Sequence, residues 1–221
     1  MSAEQTLANR LRQFIEQVTI YPVSCERLTN GRSDYEWLDE VLQGGAKIVQ
    51  LRDKESTDRR LYEKAVLFRE KTSKAGALLI INNRLDIALA VGADGIHLGN
   101  SDLPAEQARR LAPDLIIGVS ANNLGQASAA ASRGASYFNI GPLFPTKTKE
   151  GLANFLGLEA IPRFAAASKL PFTVMGGIKL QHVPELTALG VQRIAVVTAL
   201  TKAENIAAET KKWLTKINES R

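Results

Sequence analysis

Short apolar runs alternate with longer segments of helical period from one end of the chain to the other. Eight of these runs have the length and composition of buried strands: 18–23, 48–51, 78–81, 95–98, 115–119, 137–140, 172–174 and 193–196. Helices are predicted between and after them, at 35–43, 58–74, 83–91, 105–111, 124–133, 157–167, 183–189 and 203–216. This alternation is typical of a parallel sheet wrapped by helices.

Eight such repeats in a chain of 221 residues favour a closed α/β barrel, the (β/α)₈ TIM barrel, over an open doubly wound sheet. No Gly-x-Gly-x-x-Gly fingerprint follows the first strand, which argues against a dinucleotide-binding fold. Residues 1–17 carry charged positions at amphipathic spacing and predict an additional N-terminal helix. We therefore expect a single domain over residues 1–221, with the helix at 1–17 and the barrel at 18–221.

Composition and charge narrow the function classes. Hydrophobic residues make up 45% and charged residues 23% of the chain, which is typical of a globular protein with a sizeable core. The net charge is +5, but most cations are interleaved with acidic residues along helices, which argues against nucleic-acid binding. No segment predicts a signal peptide or a membrane span, so we expect a cytoplasmic protein without a membrane partner. Cys25 is the only cysteine and excludes an internal disulfide, while the oligomeric state, a homo-oligomer included, stays open.

In a barrel, functional side chains are expected at the C-terminal ends of the strands. After the second predicted strand, Gln50, Arg52 and Lys54 fall on one side at a period of two. Two cations that converge there repel each other unless an anion or a carboxylate lies between them. The spacing alone leaves two alternatives open: a bound anion, or neutralisation by Asp53, Glu55 or other carboxylates.

Polar residues also end the third and fourth predicted strands. Asn83 is expected to be the N-cap of the following helix, with Asp86 in its first turn, whereas Asn82 is placed to hydrogen-bond the edge of a heterocycle. Asp102 lies where a carboxylate either holds Mg²⁺ beside a diphosphate or caps the helix that Pro104 opens.

The loop after the sixth strand, residues 141–151, is the most informative segment. It combines hydroxyl and ammonium groups just beyond a strand, namely Thr146, Lys147, Thr148 and Lys149. Such a loop either folds over an anion and brings Lys149 to a leaving phosphate, or is a solvated loop with mobile lysines.

Small residues follow the last two strands. Gly176 and Gly177 permit close backbone approach after the seventh strand, and Val197 and Thr198 follow the eighth. Backbone N–H groups in these loops favour phosphate oxygens, and barrels frequently bind a phosphate there. The pattern predicts a phosphate-binding barrel without specifying one reaction.

Taken together, these segments resemble the thiamine phosphate synthase family. The resemblance rests on the order and spacing of several stretches over about residues 17–201: QLRDK at 50–54, residues 81–86, ADGIHLGNSD at 93–102, residues 118–120, GPLFPTKTK at 141–149, and residues 176–178 and 195–200. The Thr-x-Thr-Lys loop is the most specific motif in this set.

The resemblance implies a coupling reaction and a set of roles. The family joins 4-amino-2-methyl-5-hydroxymethylpyrimidine diphosphate to a thiazole phosphate, with Mg²⁺ as cofactor and without a protein nucleophile. The residues implied to bind the pyrimidine diphosphate are Gln50, Leu51, Arg52, Asp53, Lys54, Asn82, Ser120 and Lys149. Those implied to bind the thiazole phosphate are Thr146, Lys147, Thr148, Gly177, Val197 and Thr198. Arg52, Lys54 and Lys149 are implied to be the catalytic cations that stabilise the leaving diphosphate.

The chain departs from the family pattern at the metal site. The family's Mg²⁺ ligands are two aspartates; one corresponds to Asp102, and Asn83 stands in place of the other. Asparagine offers only a neutral carbonyl oxygen, so the expected site keeps one carboxylate together with diphosphate and waters. Thr198 replaces the usual serine and keeps its hydroxyl, and Asn100 replaces the common glutamine and keeps its amide.

Two other functions compete with the synthase. A thiazole tautomerase on the same barrel would need a proton-transferring histidine after strand five, where this chain reads Ser120-Ala121-Asn122. His97 lies within the apolar fourth strand and is expected to be a packed, hydrogen-bonded histidine rather than a catalyst. The other alternative is a barrel that binds thiamine precursors but has lost turnover through Asn83.

Overall fold

The computed structural model describes residues 2–146 and 154–221. Within them, eight parallel strands are arranged in the order β1-β8-β7-β6-β5-β4-β3-β2. A bridge between Val23 and Gln50, next to a hydrogen bond from Ser24 N to Gln50 O at 2.9 Å, joins the two edges of the sheet. The predicted (β/α)₈ barrel is confirmed.

The elements alternate as the hydrophobic pattern predicts. The strands are β1 (Ile20–Pro22), β2 (Ile48–Leu51), β3 (Leu78–Asn82), β4 (Gly95–Leu98), β5 (Ile116–Ala121), β6 (Tyr137–Ile140), β7 (Phe172–Val174) and β8 (Ile194–Val196). The helices are α1 (Ala3–Gln17), α2 (Asp34–Gln43), α3 (Asp58–Lys74), α4 (Leu85–Ala90), α5 (Ala105–Leu111), α6 (Leu124–Ala130), α7 (Ala160–Ala167), α8 (Val183–Ala188), α9 (Thr198–Thr201) and α10 (Ile206–Glu219). Short 3₁₀ turns lie at Glu26–Leu28 and Leu180–His182.

The predicted elements are present, and the differences lie at their ends. The helix predicted over 203–216 is wrong at its start, because α9 ends at Thr201 and α10 begins at Ile206. The side chain of Asn205 caps α10 by accepting a hydrogen bond from Ala208 N at 2.7 Å, which fixes this boundary. The predicted N-terminal helix is confirmed as α1, which Ser2 caps through Gln5 N at 3.2 Å.

Two apolar layers follow from the alternation of side chains along each strand. Residues such as Val49 and Leu51 point outward and pack with helix residues in the larger cluster. Ile48, Ile80 and Ile116 belong to a second cluster inside the barrel. Gln50 therefore points into the barrel interior, where only 3% of it is exposed.

Helix α1 packs against the interior cluster at the N-terminal ends of the strands. The ring of Phe14 lies 4.8 Å from that of Tyr137, centroid to centroid, at the start of β6. The guanidinium of Arg193 donates to Phe14 O at 3.0 Å and lies 5.1 Å from the centre of the Phe14 ring. In the described ranges, no helix is both long and apolar enough to cross a bilayer.

Candidate active site

A cavity of about 430 Å³ lies at the C-terminal ends of the strands. Residues from or just beyond every strand line it, which is where a barrel is expected to place its functional groups. The lining residues that the sequence singled out are Gln50, Arg52, Lys54, Asn82, Asn83, Asp102, Ser120, Thr146, Gly177, Val197 and Thr198. Lys147, Thr148 and Lys149 lie outside the described residues, so their roles stay predictions.

Arg52 and Lys54 give the cavity a positive wall. Among residues 2–146 and 154–221, no carboxylate oxygen lies within the 4.0 Å ion-pair distance of either cation. Glu55, one of the expected neutralising groups, pairs instead with Arg27 at 3.5 Å. The backbone N of Arg52 donates to Ser24 Oγ at 2.9 Å, which holds this residue at the barrel mouth. The anion-binding alternative therefore fits the arrangement of charges, and neutralisation by Asp53 or Glu55 does not.

Asp53, the second expected neutralising group, belongs to a buried ion cluster. The ammonium of Lys64 on α3 lies 2.6 Å from Glu26, 2.8 Å from Asp34 and 2.6 Å from Asp53. These carboxylates lie close enough together to suggest a metal site, but the Lys64 ammonium already lies among them as their cation. The cluster joins α3 to the loops that follow β1 and β2.

The carboxylates of this cluster have pKa values shifted in opposite directions. Burial raises the pKa of Asp34 to about 6, although its hydrogen bond with Lys64 works in the other direction. Its Oδ1 is buried without a hydrogen-bond partner, which agrees with a proton held there below that pH. Burial also acts to raise the pKa of Asp53, but the hydrogen bonds from Lys64 and from the backbone N of Glu55 and of Ser56 outweigh it and hold that pKa well below its usual range.

Two side chains of the QLRDK segment do not line the cavity. Leu51 is 1% exposed and packs outward against the helices, because it alternates with the inward-pointing Gln50. Asp53 turns towards Lys64 and Ser56. Neither side chain therefore faces the cavity, and the implied roles of Leu51 and Asp53 in binding the pyrimidine diphosphate stay predictions.

Asn83 and Asp102 both line the cavity, and neither caps a helix. Helix α4 has Arg84 at its N-cap, whereas Asn83 lies one residue earlier at φ +64°, in the left-handed region, so its expected capping role is wrong. Pro104 occupies the N-cap position of α5. Asp102 instead accepts a hydrogen bond from Gly99 N through Oδ2 at 2.5 Å, so its expected capping alternative is also wrong.

His97 is hydrogen-bonded through both ring nitrogens, as the sequence predicts for a packed histidine. Nδ1 lies 3.0 Å from the hydroxyl of Tyr137, and Nε2 lies 3.2 Å from Ser120 Oγ. Burial lowers the pKa of His97 to about 4, so the ring is neutral at pH 7.

The loops after β6 and β7 pack tightly against each other at the cavity. Gly177 has φ +64°, and a Cβ there would come within 2.8 Å of Phe144 O. Gly176 has φ +105°, and a Cβ there would come within 2.5 Å of the Pro142 side chain. Glycine is required at both positions for conformation and for space, whereas the predicted approach of this backbone to a phosphate stays a prediction.

Sequence reasoning missed Tyr21, Tyr137 and Asn139. The alternation along β6 places Tyr137 and Asn139 on the inward side, and this was the available signal. Asn139 is 8% exposed, lines the cavity and accepts a hydrogen bond from Thr173 Oγ1 at 2.8 Å. No sequence pattern shows that Tyr21 and Tyr137, 116 positions apart, meet through their hydroxyls at 3.0 Å.

The fold and the cavity define an α/β barrel of the class that binds small molecules at the C-terminal ends of its strands. A family model described as thiamine monophosphate synthase matches residues 20–200 of the chain. The chain belongs to this family.

Individual relatives agree with that assignment. Thiamine-phosphate synthase from Pelotomaculum thermopropionicum is 39% identical over 196 residues, which cover 88% of this chain and 90% of the relative. Thiamine-phosphate synthase from Moorella thermoacetica is 40% identical over 197 residues, covering 89% and 94% respectively. Among solved structures, thiamine phosphate pyrophosphorylase from Pyrococcus furiosus is similar with a TM-score of 0.85 and 35% identity, covering 92% of this chain and 96% of that one.

Proposed function

We propose that this protein is a transferase that joins 4-amino-2-methyl-5-hydroxymethylpyrimidine diphosphate to a thiazole phosphate, forming thiamine phosphate and releasing diphosphate. The observation that carries the proposal is the pair of cations, Arg52 and Lys54, which line a cavity without a carboxylate partner among the described residues. A cavity of this charge suits a substrate whose leaving group is a diphosphate.

The chemistry needs charge stabilisation and orientation more than a protein nucleophile. The C–O bond to the diphosphate breaks and its electron pair leaves with the diphosphate, while the amino-pyrimidine delocalises the resulting positive charge. The thiazole nitrogen then supplies the electron pair of the new C–N bond. Arg52 and Lys54 hold the leaving diphosphate and stabilise the charge that develops on it. Gln50, Asn82 and Ser120 orient the pyrimidine, and Gly177, Val197 and Thr198 bind the thiazole phosphate.

The metal-site residues suit a hard cation. Asp102 and Asn83 both line the cavity, and their side chains offer a carboxylate and an amide oxygen as ligands. No Lys, Arg or His of the described residues pairs with Asp102. Asp102 and Asn83 would therefore hold Mg²⁺, which when bound adds positive charge next to the leaving diphosphate.

Turnover of the purified protein with both substrates, followed across a magnesium titration, tests this function. An Asn83→Asp variant is expected to reach half-maximal activity at roughly one tenth of the magnesium concentration, because a carboxylate binds Mg²⁺ more tightly than an amide oxygen. Aspartate also tolerates the left-handed backbone at φ +64°, so the change adds little strain.

An Asp102→Ala variant is the complementary test. It removes the remaining carboxylate and is expected to abolish activity at physiological magnesium. Unchanged magnesium dependence in both variants would place the ion elsewhere. Product from Asn83→Asp but none from the native protein would identify a binding protein disabled at one residue. Absence of product from the native protein and from Asn83→Asp would contradict synthase activity and direct the work to a tautomerase assay.

The tautomerase alternative has weaker support. Ser120 at the C-terminal end of β5 and Asn122 just beyond it line the cavity, and neither is a proton-transferring group at neutral pH. His97 is neutral and has both nitrogens engaged. A cytoplasmic location and a homo-oligomeric assembly stay predictions.

A further inference from the structure

A hydrogen-bonded chain crosses the barrel interior between two side chains of the cavity wall. It begins at Gln50, whose Nε2 donates to the hydroxyl of Tyr21 at 2.9 Å. The hydroxyls of Tyr21 and Tyr137 are 3.0 Å apart, and Tyr137 lies 3.0 Å from His97 Nδ1. His97 Nε2 then lies 3.2 Å from Ser120 Oγ. We call these five residues the relay: Gln50, Tyr21, Tyr137, His97 and Ser120.

Each inner group of the relay has one proton to donate. Tyr21 and Tyr137 are 1% and 0% exposed, and burial raises the pKa of each phenol further above neutrality. Both ring nitrogens of His97 are hydrogen-bonded within the relay, and a neutral imidazole carries a single N–H. A hydroxyl that accepts from one neighbour must therefore donate to the other, and the direction of donation is the same along the whole relay.

The orientation of Gln50 sets this direction. Because Gln50 Nε2 donates to Tyr21, Tyr21 donates to Tyr137, and Tyr137 donates to His97 Nδ1. His97 then carries its proton on Nε2 and donates it to Ser120. Two groups remain for a ligand: the carbonyl oxygen of Gln50 as an acceptor and the hydroxyl of Ser120 as a donor.

We propose that Tyr21, Tyr137 and His97 are positioning residues that transmit the direction of donation from Gln50 to Ser120, so that the cavity selects an amino-heterocycle over its oxo counterpart. A 4-aminopyrimidine presents an N–H donor beside a ring-nitrogen acceptor, which complements Gln50 and Ser120. A 4-oxopyrimidine presents the opposite order, a carbonyl acceptor beside a ring N–H. The inference rests on the proposed function for its choice of ligand, but the polarity of the relay does not.

Gly118 on β5 gives independent support, because the packing there is arranged around the tyrosine ring. A Cβ at Gly118 would overlap Cζ and the hydroxyl of Tyr137. The absence of a side chain at Gly118 therefore allows the Tyr137 ring to reach across the interior to Tyr21 and His97.

The tautomer of His97 tests the polarity without any substrate. The chain has two histidines, so ¹⁵N-histidine labelling with a His182→Gln variant assigns both rings by NMR. The expected result is the Nε2–H tautomer of His97 in the free protein. The Nδ1–H tautomer would reverse every donor in the relay and overturn the proposal, whether or not the protein is a synthase.

Binding of two probes tests the selectivity. Calorimetry compares the 4-amino-pyrimidine diphosphate with its 4-oxo analogue, and the native protein is expected to prefer the amino compound by at least about 100-fold. Tyr137→Phe is expected to reduce that preference about five- to tenfold. Without the Tyr137 hydroxyl, the direction of donation between Gln50 and Tyr21 no longer determines the direction between His97 and Ser120. Tyr21→Phe breaks the relay on the other side of Tyr137, and it serves as the second variant if Tyr137→Phe does not fold.

The matched control is Tyr62→Phe, which removes an exposed hydroxyl on α3 and is expected to leave the preference unchanged. Equal weakening of both probes by Tyr137→Phe would mean a merely structural role and overturn the proposal. Failure of the native protein to bind either probe would contradict the proposed function, while the histidine tautomer would still decide the polarity.

Discussion

An Arg52→Gln variant is expected to lose about a thousandfold in kcat for thiamine phosphate formation while its melting temperature changes little. Arg52 lines the cavity and has no carboxylate partner among the described residues, so its charge is available to the leaving diphosphate. Removing a preorganised charge from a transition state costs about 3–4 kcal/mol in a site of this kind. Among residues 2–146 and 154–221, the guanidinium makes one hydrogen bond, the weak contact to Cys25 Sγ at 3.8 Å, so the fold loses little.

Steady-state kinetics over a range of both substrates checks this result, with thermal melting as the measure of folding. Arg60→Gln is the matched control, because Arg60 is an exposed residue of α3 away from the cavity wall. It is expected to keep native kcat. A kcat near the native value in Arg52→Gln would show that this cation does not serve the leaving group.

A Lys64→Met variant is expected to be less stable by about 3–5 kcal/mol at pH 7.5, which corresponds to a fall of roughly 10 °C in melting temperature for a chain of this size. The substitution removes the one cation from among Glu26, Asp34 and Asp53, and leaves carboxylates that are 1% exposed at Asp34 and 8% at Asp53 without a counter-charge. The loop that carries Arg52 also loses its anchor at Asp53, so kcat/KM is expected to fall as well.

Thermal melting at pH 7.5 and pH 5 measures this loss, which is expected to be smaller at pH 5, because Asp34 is then protonated. Lys71→Met is the matched control: Lys71 lies on the same helix and pairs with Asp39 at 2.6 Å, but this pair is partly exposed. Its loss is expected to cost less than about 1 kcal/mol. Equal destabilisation by the two variants would show that burial of the Lys64 cluster has no energetic consequence.

The pKa of Asp34 makes stability depend on pH. Its value of about 6 in the folded protein exceeds the ordinary 3.8, so the folded protein binds this proton more tightly than the unfolded chain does. The contribution of Asp34 to the free energy of unfolding therefore rises as the pH falls from 7 towards 4. An Asp34→Asn variant lacks this dependence, so native stability relative to the variant is expected to increase by about 1.4 kcal/mol between pH 7.5 and pH 5. A constant difference between the two proteins would contradict the raised pKa.

The barrel and most of the cavity wall could be predicted from the sequence, because both depend on local patterns. Strand alternation places Gln50 inward and Leu51 outward, and the ends of parallel strands bring Arg52, Asn82 and Ser120 to one end of the barrel. The extension of the chain as a single domain over residues 1–221 stays a prediction.

The errors arise where a residue's role depends on a partner distant in sequence. Asp53 was one of the carboxylates that the spacing offered as partners for Arg52 and Lys54, but it pairs with Lys64, 11 positions further on. Asparagine is a common N-cap residue, but Asn83 has a left-handed backbone and lies one residue before Arg84, the N-cap of α4. The Tyr21–Tyr137 contact depends on β1 and β6 facing each other across the interior, which no local pattern shows.

Helix α1 has a consequence for how substrate preference evolves. Its Phe14 packs on Tyr137, whose hydroxyl belongs to the relay, although α1 lies at the opposite end of the barrel from the substrate. A substitution at Phe14 would change the packing of the Tyr137 ring. Through the proposed relay it would then alter ligand choice without changing any side chain at the cavity. Under the proposed relay, ligand choice would thus depend on a residue of α1 that has no contact with the cavity.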